Sequence, residues 1–154
     1  MANEEAHVRL ALRNQATIDH LQSDVAKHSE WITTVAFYKA LHIVEAMFFS
    51  QSGEHGHSHD DRANRLKREH RYSHIWKYYR PLWAASTVAR YLQDTIEHKR
   101  SFNSFAEYFS AEDVKRLILN HYLRQVQKSA SNFLSSRSVA DLGLPPDNPE
   151  KSSG

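Results

Sequence analysis

Three groups of residues in this sequence have the types and spacing to do chemistry. From Arg62 to Arg80 run Arg62, Arg65, Lys67, Arg68, Arg71, Lys77 and Arg80 against a single Glu69, with Tyr72, Trp76, Tyr78 and Tyr79 interleaved. Cations hold phosphate oxygens and aromatic rings stack on bases, so the segment reads either as a phosphate- and base-binding face or as an ordinary solvated charged face. The stretch EHGHSHDD gathers His55, His57 and His59 with Glu54, Asp60 and Asp61. All are competent ligands for zinc or nickel, but alternating histidines in a glycine-containing loop also take up metal adventitiously, and no designed metal site is expected. The third group is Tyr38, His42 and Glu45, which share one helical stripe with Trp31, Val35 and Phe49. A His and a Glu buried among apolar neighbours must find partners or change protonation. Two readings stay open: an internal hydrogen-bond network that fixes the register of the core, or a support that orients His59 or Arg62 for a ligand. Arg90 is expected either to pair with Glu45 or to reach a phosphate.

The elements that must position these groups can be read from periodicity. Trp31–Phe49, WITTVAFYKALHIVEAMFF, points apolar side chains in every direction at about 100° per residue, the mark of a helix buried in the middle of a bundle. A first helix is expected over Glu4–Lys27, with Leu10, Ala11, Ile18, Leu21 and Val25 as its core stripe. Ser29 is the expected N-cap of the central helix, which runs to about Ser50. Gly53 and Gly56 punctuate the loop that follows. Ser58 and Asp61 then resemble a capping box opening a short helix to about Glu69. From Tyr72 to Glu97 the pattern is helical, with a kink or restart expected at Tyr79–Leu82 because of Pro81. Its inward face is Ile75, Trp76, Tyr79, Leu82, Trp83, Ser86 and Ala89. An aromatic-rich connection over residues 99–109 leads to a last helix, capped by Ser110 and Asp113 and running to about Leu134, with Val114, Leu117, Ile118 and His121 inward. The fold class expected is all-α, an antiparallel bundle of four to five helices over residues 1–135. Residues 136–154 are expected to be a disordered tail.

Composition sets the outer limits. At 154 residues the chain fits a single domain. Four Gly and four Pro argue against an all-β fold, and the absence of Cys excludes disulfides and thiolate metal sites. The net charge of +2 decides little by itself. MANEEAHVRL is acidic and helical in pattern, so no signal peptide is expected. The longest apolar run, Ala36–Phe49, has 14 residues and contains Lys39, His42 and Glu45, too short and too polar to span a bilayer. A cytoplasmic protein without a membrane segment is the expectation.

FYKALHIVEA, then SHDDR, then STVARY form an ordered set of motifs. The order resembles one branch of the HEPN superfamily (higher eukaryotes and prokaryotes nucleotide-binding), whose members look like F-Y-x-A-L-H-x-x-E-A, S-H-x-x-R and S-x-x-A-R-Y. The matching residues are Phe37, Tyr38, Ala40, Leu41, His42, Glu45 and Ala46, then Ser58, His59 and Arg62, then Ser86, Ala89, Arg90 and Tyr91. The resemblance spans residues 31–91. It implies a helical bundle, often a homodimer, that acts without metal or cofactor. Such domains are metal-independent endoribonucleases of toxin–antitoxin and phage-defence systems, or non-catalytic RNA- or nucleotide-binding and scaffold subunits of larger complexes.

Active members of that family carry Arg, four to six residues, then His. Arginine can hold developing phosphorane charge while histidine takes the 2′-hydroxyl proton. With 12 Arg and 11 His in the chain, chance supplies about 2.6 such pairs. Four are present: Arg13/His20, Arg65/His70, Arg68/His74 and Arg116/His121. On a regular helix Arg116 and His121 diverge by about 140°, and Arg13 with His20 faces outward. Arg65 and His70 straddle a helix end, and Tyr72 extends the pair to R-x-x-x-x-H-x-Y, the form of toxin members modified by a partner nucleotidyltransferase. Leu66 stands where active relatives tend to have a polar residue. The expected site is therefore Arg65 and His70 as the catalytic pair. His59, Arg62, Arg68, Arg71, Tyr72 and Arg90 are expected on RNA or nucleotide, and Tyr38, His42 and Glu45 as the supporting polar core.

Overall fold

A computed structural model describes residues 2–144, and these are mostly helical. Helix α1 covers Glu4–Leu21, started by Asn3, whose side chain accepts from the Ala6 N–H. A 3-10 turn, Gln22–Asp24, leads into α2, Val25–Ser52. The cap of α2 is Asp24, accepting from the Lys27 N–H, rather than Ser29. Ser29 lies within the helix and returns its hydroxyl to the Val25 carbonyl, while His28 (φ −118°, ψ 20°) marks the irregularity read as a boundary. Gly53, at φ 74°, closes α2 in the left-handed conformation that glycine adopts without steric penalty.

After the histidine loop, α3 covers His59–Arg68, and Ser58 caps it by accepting from the Asp61 N–H. A 3-10 turn, His70–Tyr72, then opens α4, Ser73–Tyr91. No restart occurs at Pro81: α4 runs through it. Ile75, Tyr79, Leu82 and Trp83 on both sides of the proline are packed into the core, and that packing holds the turn with its missing hydrogen bond. Helix α4 also stops short of Glu97. Asp94, 1% exposed, accepts from the backbone N–H groups of Ile96, Glu97 and His98 and so competes with helical hydrogen bonding. A two-residue antiparallel ribbon follows, Gln93–Asp94 (β1) against Arg100–Ser101 (β2).

A short α5 (Phe105–Tyr108) precedes the last rod, which is built of α6 (Ala111–Asp113), a π-helical stretch (Val114–Leu123) and α7 (Arg124–Ala130). The reciprocal capping box of Ser110 and Asp113 forms as read from the sequence. The expected disordered tail needs correction over its first part. Ser136–Asp141 forms α8, with Ser138 buried and donating to Glu4 Oε1 at 2.7 Å. The remainder of that tail, 145–154, lies outside the described residues.

Side-chain pairings give the topology. His7 meets His42 and Gln15 meets Lys39, so α1 and α2 are antiparallel. Tyr72 meets Phe48 and Tyr79 meets Phe37, so α4 reverses again. His121 meets Tyr78 and Phe133 meets Tyr72, so the last rod reverses a third time. The result is an up-down-up-down bundle with α2 at its centre. Ile32, Phe37, Ile43, Val44, Met47 and Phe48 are wholly buried, and most of the apolar window within α1–α2 is covered by its neighbours. Leu10, expected inward, is 40% exposed, whereas Ala11 and Ile18 are buried as expected and His7 and Val8 join them.

Candidate functional site

The polar stripe of α2 is the meeting point of four segments. Glu45 is 2% exposed, and its two oxygens are divided between donors. Arg62 Nε on α3 donates to Oε1 at 2.6 Å, and the Gly56 N–H from the loop donates to Oε2 at 2.9 Å. A Cβ at residue 56 would stand 2.9 Å from Glu45 Oε1 and 3.3 Å from Arg62 Cβ, so the loop approaches this closely only with glycine there.

Above this pair three imidazoles converge. His7 on α1 places Nδ1 3.1 Å from His42 Nδ1 and Nε2 3.4 Å from His55 Nδ1, and the same His55 atom lies 3.9 Å from Glu45 Oε2. The His7 and His42 rings stack, and His55 meets His7 edge-on. Burial pulls the His42 pKa down to about 4, with His7 and Arg62 adding to the effect and Glu45 opposing it. Burial lowers His7 as well, against the pull of Glu45 and with help from His55 and Arg62.

His7 is absent from the sequence reading, although a signal for it existed. It lies four residues before Ala11 and eleven before Ile18, on the buried stripe of α1. The loop histidines separate by environment. His55 turns inward, His57 is exposed, and His59 stacks near Trp83 and Phe37 with Nδ1 3.3 Å from an Arg62 nitrogen. Of the two expectations for Arg90, pairing with Glu45 does not occur: Arg90 donates to the Tyr38 hydroxyl at 3.1 Å and to Ser86.

The cationic segment divides into internal and external residues. Arg62 is 7% exposed and spent on Glu45. The Arg65 guanidinium lies 4.0 Å over the Phe48 ring, donates to Ser52 Oγ at 2.8 Å and to the Glu54 carbonyl at 3.1 Å, and pairs with Glu69 at 3.4 Å. It clamps the end of α2 to α3. Tyr72, expected to stack on a base, is wholly buried against Phe48 and Phe133, with Arg71 over its face at 4.7 Å, and it offers no ring to a ligand. Arg68, His70, Arg71, His74, Lys77 and Arg80 are exposed.

Arg71 and His74 open onto a cleft of about 440 Å³ between α4 and the last rod, where Gln125, Lys128, Ser129 and Asn132 face them and Ile75 and Phe133 form an apolar floor. This wall was invisible in sequence, since Gln125–Asn132 lies fifty residues downstream. Regular α-helical geometry, which the sequence predicts, does not hold Arg116 and His121 apart. The two fall in the π-helical stretch, whose wider turn brings positions five apart toward one face. They nevertheless point to different partners, Arg116 to Asp113 at 3.1 Å and His121 edge-on to Tyr78. No known protein family, curated protein or solved structure matches this chain.

Proposed function

We propose that this chain is a HEPN-like bundle that binds RNA or a nucleotide in the cleft between Arg71 and His74 and the facing Gln125–Phe133 segment, and that it holds its ligand without cutting it. The observation that supports this most is the cleft itself. Arg71, His74 and Lys128 converge on a polar hollow of about 440 Å³, large enough for a nucleotide and floored by Ile75 and Phe133. Lys128 is placed to meet a phosphate oxygen there, Arg71 can join it by exchanging its bonds to Glu69 (2.8 Å) and Gln51 (3.1 Å) for the phosphate, and Gln125, Ser129 and Asn132 provide donors and acceptors for a sugar or base edge. The resemblance of FYKALHIVEA, SHDDR and STVARY to the HEPN branch points the same way.

The occupation of Arg65 favours binding over cleavage. A residue that neutralises phosphorane charge needs donors free to face the phosphate, whereas Arg65 has its donors on Ser52, Glu54 and Glu69. The test is fluorescence anisotropy with a labelled single-stranded RNA and with ATP. Arg71→Ala combined with Lys128→Ala is expected to weaken binding by roughly 10-fold or more and to flatten its dependence on salt. Unchanged affinity in that double variant overturns the assignment of the cleft. RNA cleavage in EDTA that is lost in Arg65→Ala/His70→Ala overturns the non-cleaving reading.

A further inference from the structure

The convergence of His7, Glu45 and His55 is not used by the cleft, which lies on residues of α4 and the last rod. The ligand atoms of these side chains, one from each, all fall within 4.8 Å of one another. We infer that His7, Glu45 and His55 form a site for one divalent first-row transition ion of the zinc type, clasping the start of α1 to α2 and to the loop before α3.

The spacing of the two imidazoles suits an ion better than a hydrogen bond. The His7 Nε2 to His55 Nδ1 separation is 3.4 Å, at the far limit for a ring N–H donor. It is close to the ~3.3 Å that two imidazole nitrogens subtend when each is bonded at ~2.0–2.1 Å to a tetrahedral ion. Glu45 Oε2 is 3.9 Å from His55 Nδ1, and with the ligand atoms spread over up to 4.8 Å the carboxylate would have to draw in by about half an ångström toward His55 and by up to about 1.5 Å toward His7. Two imidazole nitrogens and one carboxylate oxygen select zinc, cobalt or nickel over calcium or magnesium, which prefer all-oxygen shells.

Partners already orient two of the three ligands. His7 can donate through Nδ1 to His42 Nδ1 at 3.1 Å, which leaves the Nε2 lone pair facing the site. Arg62 and Gly56 fix the Glu45 carboxylate in place. The Arg62 charge lowers the affinity of such a site but leaves Oε2 directed at it. Adventitious binding by the loop histidines makes a different demand, because it would use the exposed His57 and have no need of His7, forty-eight residues from His55.

The experiment is calorimetric titration of zinc chloride into the full chain after EDTA treatment and desalting, with cobalt chloride absorption as a second readout. One ion per chain is expected, with visible cobalt bands of a low-coordinate site and a raised Tm in zinc. His55→Asn and His7→Asn should each lose at least ~100-fold in affinity, while His57→Asn binds as the unchanged chain does. His55 lies in a loop, so its variant keeps the test valid if His7→Asn fails to fold, which circular dichroism would report. Absence of saturable zinc binding overturns the proposal. So does binding that survives His55→Asn, or binding that His57→Asn abolishes.

Discussion

Glu45 shows how much one side chain can be asked to hold. It is 2% exposed, bonded to Arg62 at 2.6 Å and to the Gly56 N–H at 2.9 Å. Burying two charges costs about what their attraction returns, so the pair is not a large net source of stability. Breaking it is another matter, because Glu45→Ala leaves Arg62 buried and unpaired. We expect that variant to lose about 3–5 kcal/mol in urea denaturation, and Glu45→Met with Arg62→Leu to recover most of the loss. A double variant as unstable as the single one would mean that the ion pair does not explain the deficit. Part of this was legible in the sequence: a Glu and a His on an apolar stripe demand partners, and Arg62 was among those expected. His7 was not, because its pairing with His42 is a tertiary contact over thirty-five residues of chain. Tyr72 misled for a related reason. A tyrosine among arginines looks like a stacking surface, but the 3-10 turn at His70–Tyr72 rotates it into the core.

At the scale of the elements, local chemistry predicts an end of a helix where one residue or its own side chain closes the turn, as Gly53 does for α2. Ser58 and Ser110 cap the helices they were expected to cap, since a hydroxyl accepting from a backbone N–H three residues on needs no outside help. Other ends depend on competition. Leu92 ends α4 in the left-handed conformation (φ 58°) and Asp94 beyond it gathers three backbone donors, while α8 exists because Glu4 provides it an anchor. Residues 135–144 have a composition that does not form a core alone, but Ser138 and the Ser135 N–H both donate to Glu4 Oε1. Burial pushes the Glu4 pKa up, yet these hydrogen bonds outweigh it and hold the carboxyl below its ordinary range. Glu4→Ala should therefore release α8 while leaving the bundle folded. Hydrogen exchange at Ser138–Leu144 is expected to quicken about 10-fold, a local opening worth on the order of 1.4 kcal/mol, with protection in α2 unchanged. Equal protection of α8 in the variant would show that its apolar contacts, not Glu4, hold it.

At the scale of the whole molecule, the bundle is tied at its middle by a charge. Lys39 on α2 is 5% exposed and donates to Gln15 Oε1 on α1 and to Gln127 Oε1 on α7, both at 2.6 Å, so three rods share one ammonium. The antiparallel bundle was legible from the helical apolar patterns and their mostly short links. This tie was not, because Gln127 comes from the far end of the chain. Burial lowers the Lys39 pKa from its ordinary 10.5 to about 8, against the opposing pull of Asp19. The sign follows from proton counting. Below pH 8 both folded and unfolded chains hold the proton and the folded state bears the full cost of burying it. Between about 8 and 10.5 the unfolded chain holds more protons, so stability rises with pH. The gain is at most on the order of 3 kcal/mol, reduced by the Gln15 and Gln127 acceptors that favour the charged form. Buried tyrosines set the upper end of the window. Burial raises Tyr79 and Tyr108 above their ordinary 10.0, so beyond that pH the unfolded chain ionises first and stability falls again. Urea midpoints should therefore climb from pH 8 to 10 in the unchanged chain, whereas Lys39→Met should be the more stable at pH 7 and show little slope over the same range. A wild-type midpoint that is flat across that range, with Lys39→Met less stable at pH 7, would mean that the two glutamine amides fully compensate the buried ammonium and that the tie stabilises the bundle at neutral pH.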